Sequence, residues 1–170
     1  MNTRVTIQTR TFILLLIVLV VSLFGGCSKN DPDPLVNVPD DDVEMNTAIA
    51  KARASLPEFW QHFERPRTGE TSFSLKVKIS EGKETEHFWT DHIEQKDGKV
   101  FGIIGNDAES VHNVKLGDRV EILEPNISDW MYLRNDKIVG NYTMRPLFKH
   151  MSAKDVEKYK GMLANPDADH

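Results

Sequence analysis

Residues 127–143 read ISDWMYLRNDKIVGNYT, and the alternation inside this stretch decides the fold. Successive side chains of a strand point to opposite faces, so Trp130, Tyr132 and Arg134 share one face while Asp129, Met131 and Leu133 share the other. Asn135-Asp136 supplies two residues that tolerate the left-handed backbone of a tight hairpin turn. The stretch is therefore two strands folded back on each other.

Working outward, the same period of two recurs. Phe73, Leu75, Val77 and Ile79 alternate with Ser74, Lys76 and Lys78, which gives a strand one face for a core and one for water. Gly82 marks a turn, TEHFWTDHIEQ follows, Lys96-Asp97-Gly98 marks another turn, and KVFGIIGN and DRVEIL complete the series. Short connections between strands imply an antiparallel sheet. The expectation is an α+β fold with a meander-like sheet of five or six strands, flanked by N-terminal and C-terminal helices.

Helical spacing brackets the strands. Ile49, Ala52, Leu56, Phe59, Trp60 and Phe63 fall near one face. Pro57 cannot sit inside an unbroken helix without cost, and Ser55 to Glu58 has the spacing of a capping box, which places Pro57 in the first turn of a second helix. At the other end Ser152 is positioned to cap a helix carrying Val156, Tyr159, Met162 and Leu163 on one face.

The amino terminus has a different character. Arg4 and Arg10 precede Phe12 to Phe24, an apolar stretch of 13 residues broken only by Ser22, the layout of a signal peptide. It is short against the roughly 20 residues a membrane-spanning helix needs. Gly25 and Gly26 lead into Cys27, the single cysteine of the chain, so no intrachain disulfide can form. Leu23 to Cys27 resembles the bacterial lipoprotein signal, departing from its common form at Phe24, where leucine is usual. The resemblance implies removal of residues 1–26 and attachment of acyl chains such as palmitate to Cys27. Two or three such chains hold a protein on a bilayer, since each buried methylene contributes about 0.8 kcal/mol. Ser28 is not the aspartate associated with inner-membrane retention, so the resemblance favours the outer membrane in a host with two.

Residues 28–44, SKNDPDPLVNVPDDDVE, are rich in proline and aspartate and lack periodicity. Together with Cys27 and Met45 they are expected to form a disordered tether about 20 to 25 Å long, with a globular domain at 46–164 and a loose tail at 165–170. Loss of residues 1–26 leaves 19 basic against 26 acidic residues, while residues 46–164 carry 18 of each sign. A domain without basic excess is a poor candidate for nucleic acid. The expected partners are the membrane, through Cys27, and an envelope protein, peptide or small ligand.

Chemistry is harder to read. NTAIAKAR, FSLKVKI, EHFWTDHI, FGIIGND, LGDRVEI and ISDWMYLRNDKIVGNYT, in this order, are similar to the YegJ-like family of bacterial domains of unknown function, over residues 45–163. The resemblance implies a domain boundary and assigns no reaction, cofactor or catalytic residue. Glu86, His87, Asp91 and His92 lie close in sequence, but on a strand His87 and Asp91 are about 13 Å apart and His92 faces the other way, so no local metal site is expected. Asp129, Trp130, Tyr132, Arg134 and Thr143 are the candidate binding residues, because aromatic surface beside an acid suits capture of a small ligand, glycan or peptide. Cross-strand core packing explains the same pattern and is preferred. A non-catalytic binding module is the leading function. The alternative is an envelope hydrolase using a His/Asp pair such as His87 with Asp129, or His112 with Asp107, assembled by the fold.

Overall fold

In the computed structural model, which describes residues 42–164, the alternating stretches form one six-stranded sheet. The strands are β1 (Glu70–Glu81), β2 (Glu84–Lys96), β3 (Lys99–Ile104), β4 (Arg119–Ile122), β5 (Ile127–Arg134) and β6 (Lys137–Gly140). Their order is β4-β3-β2-β1-β5-β6 and every neighbouring pair is antiparallel. The helices are α1 (Val43–Ala54), α2 (Leu56–Glu64), the single turn α3 (Met144–Leu147) and α4 (Ala153–Met162). The α+β fold and meander-like sheet expected from the sequence are those observed. The expected leader, Cys27, most of the tether and the tail lie outside the described residues.

The turns follow from their residues. Asn135 and Asp136 have φ of 50° and 63°, and Asp97 and Gly98 have 52° and 73°, the paired left-handed conformation that matches the twist of a two-residue hairpin. The meander then has to return. Leu123 to Asn126 link β4 to β5, which lies on the far side of β3, β2 and β1. In a flat sheet that is four strand spacings, about 19 Å. The link contains a 3-10 turn, Glu124–Asn126, which shortens it well below its extended reach of about 18 Å. The sheet must curl, and register shifts at Thr71/Ser74, Lys76/Val77 and Asp91/Glu94 supply the added twist.

The concave face holds the core. Leu75, Val77, Phe88, Ile104, Ile122, Ile127, Trp130 and Tyr132 are buried there against Ala52, Leu56 and Phe59 from α1 and α2. The Trp130 ring is the centre of it: Phe59, Tyr132 and Tyr142 lie 5.8, 5.9 and 5.7 Å from it by ring centroid. Its indole N–H donates to Ala52 O at 2.9 Å and Ser55 Oγ at 3.1 Å. Ser55 is thereby drawn away from the role its spacing suggests. It is the N-cap residue of α2, and Pro57 sits in the first turn as expected, but the hydroxyl makes no cap bond and turns back to Lys51 O and Ala52 O. The capping box does not form because the end of α1 and the tryptophan claim the hydroxyl.

On the convex side Asp129 is fully buried. Its Oδ1 accepts from the Trp130 and Tyr142 amides at 2.8 and 3.1 Å, and its Oδ2 from the Thr143 amide and hydroxyl, both at 2.7 Å. Lys76, its cross-strand partner, donates to the same hydroxyl at 3.4 Å. The carboxylate thus fastens the chain after β6 back over β5. Gly140 makes the approach feasible: its φ is +83°, and a Cβ there would lie 2.4 Å from Trp130 O.

The first helix begins earlier than composition suggests. Val43 and Glu44, placed in the tether by their acidic surroundings, and Met45 with them, are in α1. Asp42 caps it by accepting from the Met45 amide at 2.8 Å, and Lys149 reaches both Asp42 and Glu44 at 2.8 Å. At the far end Ser152 caps α4 as expected, but none of the helix is buried and Met162 is exposed. The segment after α4 closes on β6: Leu163 bridges Ile138 in parallel, and the Ala164 amide donates to Ile138 O at 2.8 Å.

Trp130→Ala is expected to lower stability by about 3 to 5 kcal/mol, from the size of the ring removed. Asp129→Asn should cost about 1 to 3 kcal/mol, since the amide turns one accepting oxygen into a donor facing another donor. Urea melts of the two variants beside the parent check both values.

Candidate functional site

Four of the five binding candidates are taken up by the fold. Asp129, Trp130 and Tyr132 have no exposed surface and Thr143 is 2% exposed. Rings and a carboxylate covered in this way offer a ligand no contact area, so packing accounts for them. Burial pushes the Asp129 carboxyl up from its ordinary value, against the hydrogen bonds from Thr143 and Trp130 and the charge of Lys76. Arg134 alone of the five reaches water, with its side chain 17% exposed.

Arg134 leads to a second polar cluster, on the other face of the sheet. The register of β1 on β5 sets Glu70 opposite Arg134, and Arg134 Nε donates to Glu70 Oε1 at 3.0 Å. Glu70 Oε2 accepts from the Arg67 amide at 2.8 Å and lies 3.0 Å from His62 Nδ1. Arg134 also donates to the Tyr132 hydroxyl at 2.7 Å, and His62 stacks on the Tyr132 ring at 5.2 Å. Burial works against ionising Glu70, yet the Arg67 amide, His62 and Arg134 together hold its carboxyl below the ordinary value. The cluster joins the last turn of α2 to the start of β1 and the end of β5.

In front of His62 lies an open groove of about 580 Å³, walled by Pro57, Trp60, Gln61, His62, Glu64, Arg65 and Arg67. Arg65 ends α2 and Arg67 precedes the turn at Gly69. Both side chains are exposed, and neither guanidinium has a carboxylate within ion-pair distance among the described residues. His62 is 5% exposed. Its Nδ1 is committed to Glu70, while Nε2 has no partner among the described residues and is not sealed from solvent. Tyr132 and Arg134 therefore stand behind this groove, through His62 and Glu70, rather than in a recognition surface of their own.

The remaining candidates disperse. Glu86 accepts from the amides of Glu109, Ser110 and Val111 and so holds the loop after β3. His92, at φ 48° in the bulge of β2, turns its ring to Asp91 at 2.8 Å, both exposed. His112 lies 3.4 Å from Glu81 and so is drawn toward β1 rather than toward Asp107. His87 Nδ1 lies 2.8 Å from Ser128 Oγ. No group of three or more His, Cys, Asp or Glu side chains suited to a metal occurs among the described residues. No described helix is long and apolar enough to cross a membrane.

The sheet and its helices lie within the reach of a bacterial family. Residues 42–164 match the family described as uncharacterized protein conserved in bacteria (DUF2314), and the chain belongs to it. It is 34% identical over 151 residues to the uncharacterized protein YegJ of Escherichia coli strain K12, covering 89% of this chain and 97% of that one. It is also 27% identical over 122 residues to a putative ankyrin repeat protein of Neisseria meningitidis serogroup B, covering 67% of this chain and 48% of the relative. No solved structure matches.

Glu70→Gln is expected to destabilise the domain by about 3 kcal/mol at pH 7, because Arg134 loses the carboxylate it pairs with and one accepting oxygen in the cluster becomes a donor. A carboxyl held below its ordinary value stabilises the fold above pH 4.5, and that contribution is lost as pH falls below it toward the lower folded value. The gap between parent and variant should therefore narrow below pH 4.5, as denaturant melts at pH 7, 5 and 3 measure.

Proposed function

We propose that this protein is a lipid-anchored component of the bacterial cell envelope whose domain captures a partner or small ligand without catalysis. The observation that carries the binding reading is the open groove beside Trp60, His62, Arg65 and Arg67. An open wall that combines an aromatic ring with cationic side chains suits recognition more than an enclosed reaction centre. The anchor rests on FGGC at residues 24–27 after the apolar run, and Ser28 favours an outer membrane where there are two.

A second reading, an envelope hydrolase, draws on the 2.8 Å contact of His87 Nδ1 with Ser128 Oγ, the distance of a base from a nucleophile. It is the weaker one. Ser128 is 2% exposed and its hydroxyl also lies 3.2 Å from Lys76 O, to which it donates.

Protein from the membrane fraction is expected to begin at Cys27 and to carry diacylglycerol on sulfur, whereas Cys27→Ser should accumulate with residues 1–26 still attached. Intact mass spectrometry separates the two. An unmodified thiol on membrane-associated Cys27 would sink the anchor.

A further inference from the structure

We infer that the groove at the end of α2 binds an oxyanion, a carboxylate or a phosphate, carried on a flat apolar body, with Arg65 and Arg67 gripping the charge and Trp60 the apolar part. The inference rests on the binding reading above. Guanidinium groups are forked, permanently charged donors that match carboxylate and phosphate in pairs. Here two of them line one groove and neither is ion-paired to an acid among the described residues, although residues 46–164 carry as many acids as bases. Trp60 is half-buried, supported edge-on by Phe59 at 5.0 Å and Phe63 at 5.7 Å. Its ring is therefore held in place rather than free to swing, and a fixed indole costs a ligand little entropy.

His62 supplies the second, independent sign. A side chain with nineteen-twentieths of its surface covered retains one ring nitrogen, Nε2, without a partner among the described residues, and His62 forms part of the groove wall. That nitrogen meets solvent at the groove, where a ligand group can reach it. Glu70 fixes the imidazole through Nδ1, as an orienting carboxylate does. Protonated, His62 presents Nε2–H as a third donor to an oxyanion; neutral, it presents a lone pair that repels one. The charged and titratable groups facing it are Glu70 from β1, Arg134 and Tyr132 from β5, and Glu64, Arg65 and Arg67 along the chain. Glu64 is the one carboxylate on the wall, set against two guanidinium groups and the histidine. An anion is favoured there.

The test is an NMR titration of the full chain in detergent micelles with two probes, 3-phenylpropionate and phenyl phosphate, each to about 10 mM, a range that captures dissociation constants near 1 mM. At least one probe is expected to shift the Trp60 indole and the Arg65 and Arg67 side-chain signals. Which one binds more tightly tells a carboxylate source from a phosphate source. Arg65→Gln and Arg67→Gln, both at exposed positions, should keep the parent's spectrum and weaken binding about tenfold each, as loss of a charged hydrogen bond implies. The His62 ring signals of the parent should shift with the same probe, as a residue of the groove wall requires. Shifts confined to another surface overturn the groove and leave the binding reading standing. Release of inorganic phosphate from phenyl phosphate overturns the non-catalytic reading instead. No shift with either probe, or binding indifferent to both arginines, overturns the inference.

Discussion

A single buried carboxylate holds the second half of this domain together. Asp129 has four donors directed at its two oxygens, three of them backbone amides and the fourth the Thr143 hydroxyl. Those donors come from β5 itself and from the chain that follows β6, so the acid converts a hairpin end into a closed loop. Closing the loop carries Tyr142 onto the edge of the Trp130 ring, which in turn reaches back to α1 through its indole N–H. Helix, sheet and loop meet through adjacent residues of one strand. An unpaired buried acid would be costly, and it is the completeness of the donor set that makes the position tolerable.

The sheet therefore has a polar knot on each face. Asp129 ties the convex side, and Glu70 ties the concave side, where it gathers His62, Arg134 and the Arg67 amide. Their electrostatics differ in sign. Burial dominates at Asp129 and raises its carboxyl, while at Glu70 the surrounding donors and cations overcome burial and lower it. The convex knot is sealed by the chain that it fastens. The concave one meets solvent through His62 and Arg134, and it is there that the groove opens.

How much of this was legible in the sequence depends on the range of each interaction. Strands and hairpin turns were, because period-two alternation at Phe73 to Ile79 and the Asn135-Asp136 and Asp97-Gly98 pairs are local signals. Ser55 shows the limit of such signals: its spacing to Glu58 is that of a cap, but a tryptophan 75 positions later competes for the hydroxyl. Asp129 and Thr143 stood out as polar residues in an apolar hairpin, although their meaning, structural rather than recognitive, required knowing what covers them. Glu70 had no signal at all. It sits in a polar stretch at the start of β1, and its partner Arg134 is 64 positions away. The groove has no local signal for the same reason, since Arg65-Pro66-Arg67 reads as the end of a helix and nothing more.

The rims of the sheet carry a consequence of their own. An exposed strand edge is a row of unpaired amides and carbonyls, ready to accept a strand from another molecule. Here both outer strands, β4 and β6, are four residues long. Leu163 and Ala164 lie across the flank of β6, and β4 bears Arg119 and Glu121, which pair back to Glu94 and Lys99. A domain with one rim overlaid by its own C-terminal segment and the other reduced to a charged stub can be crowded with its own copies without polymerising through its sheet.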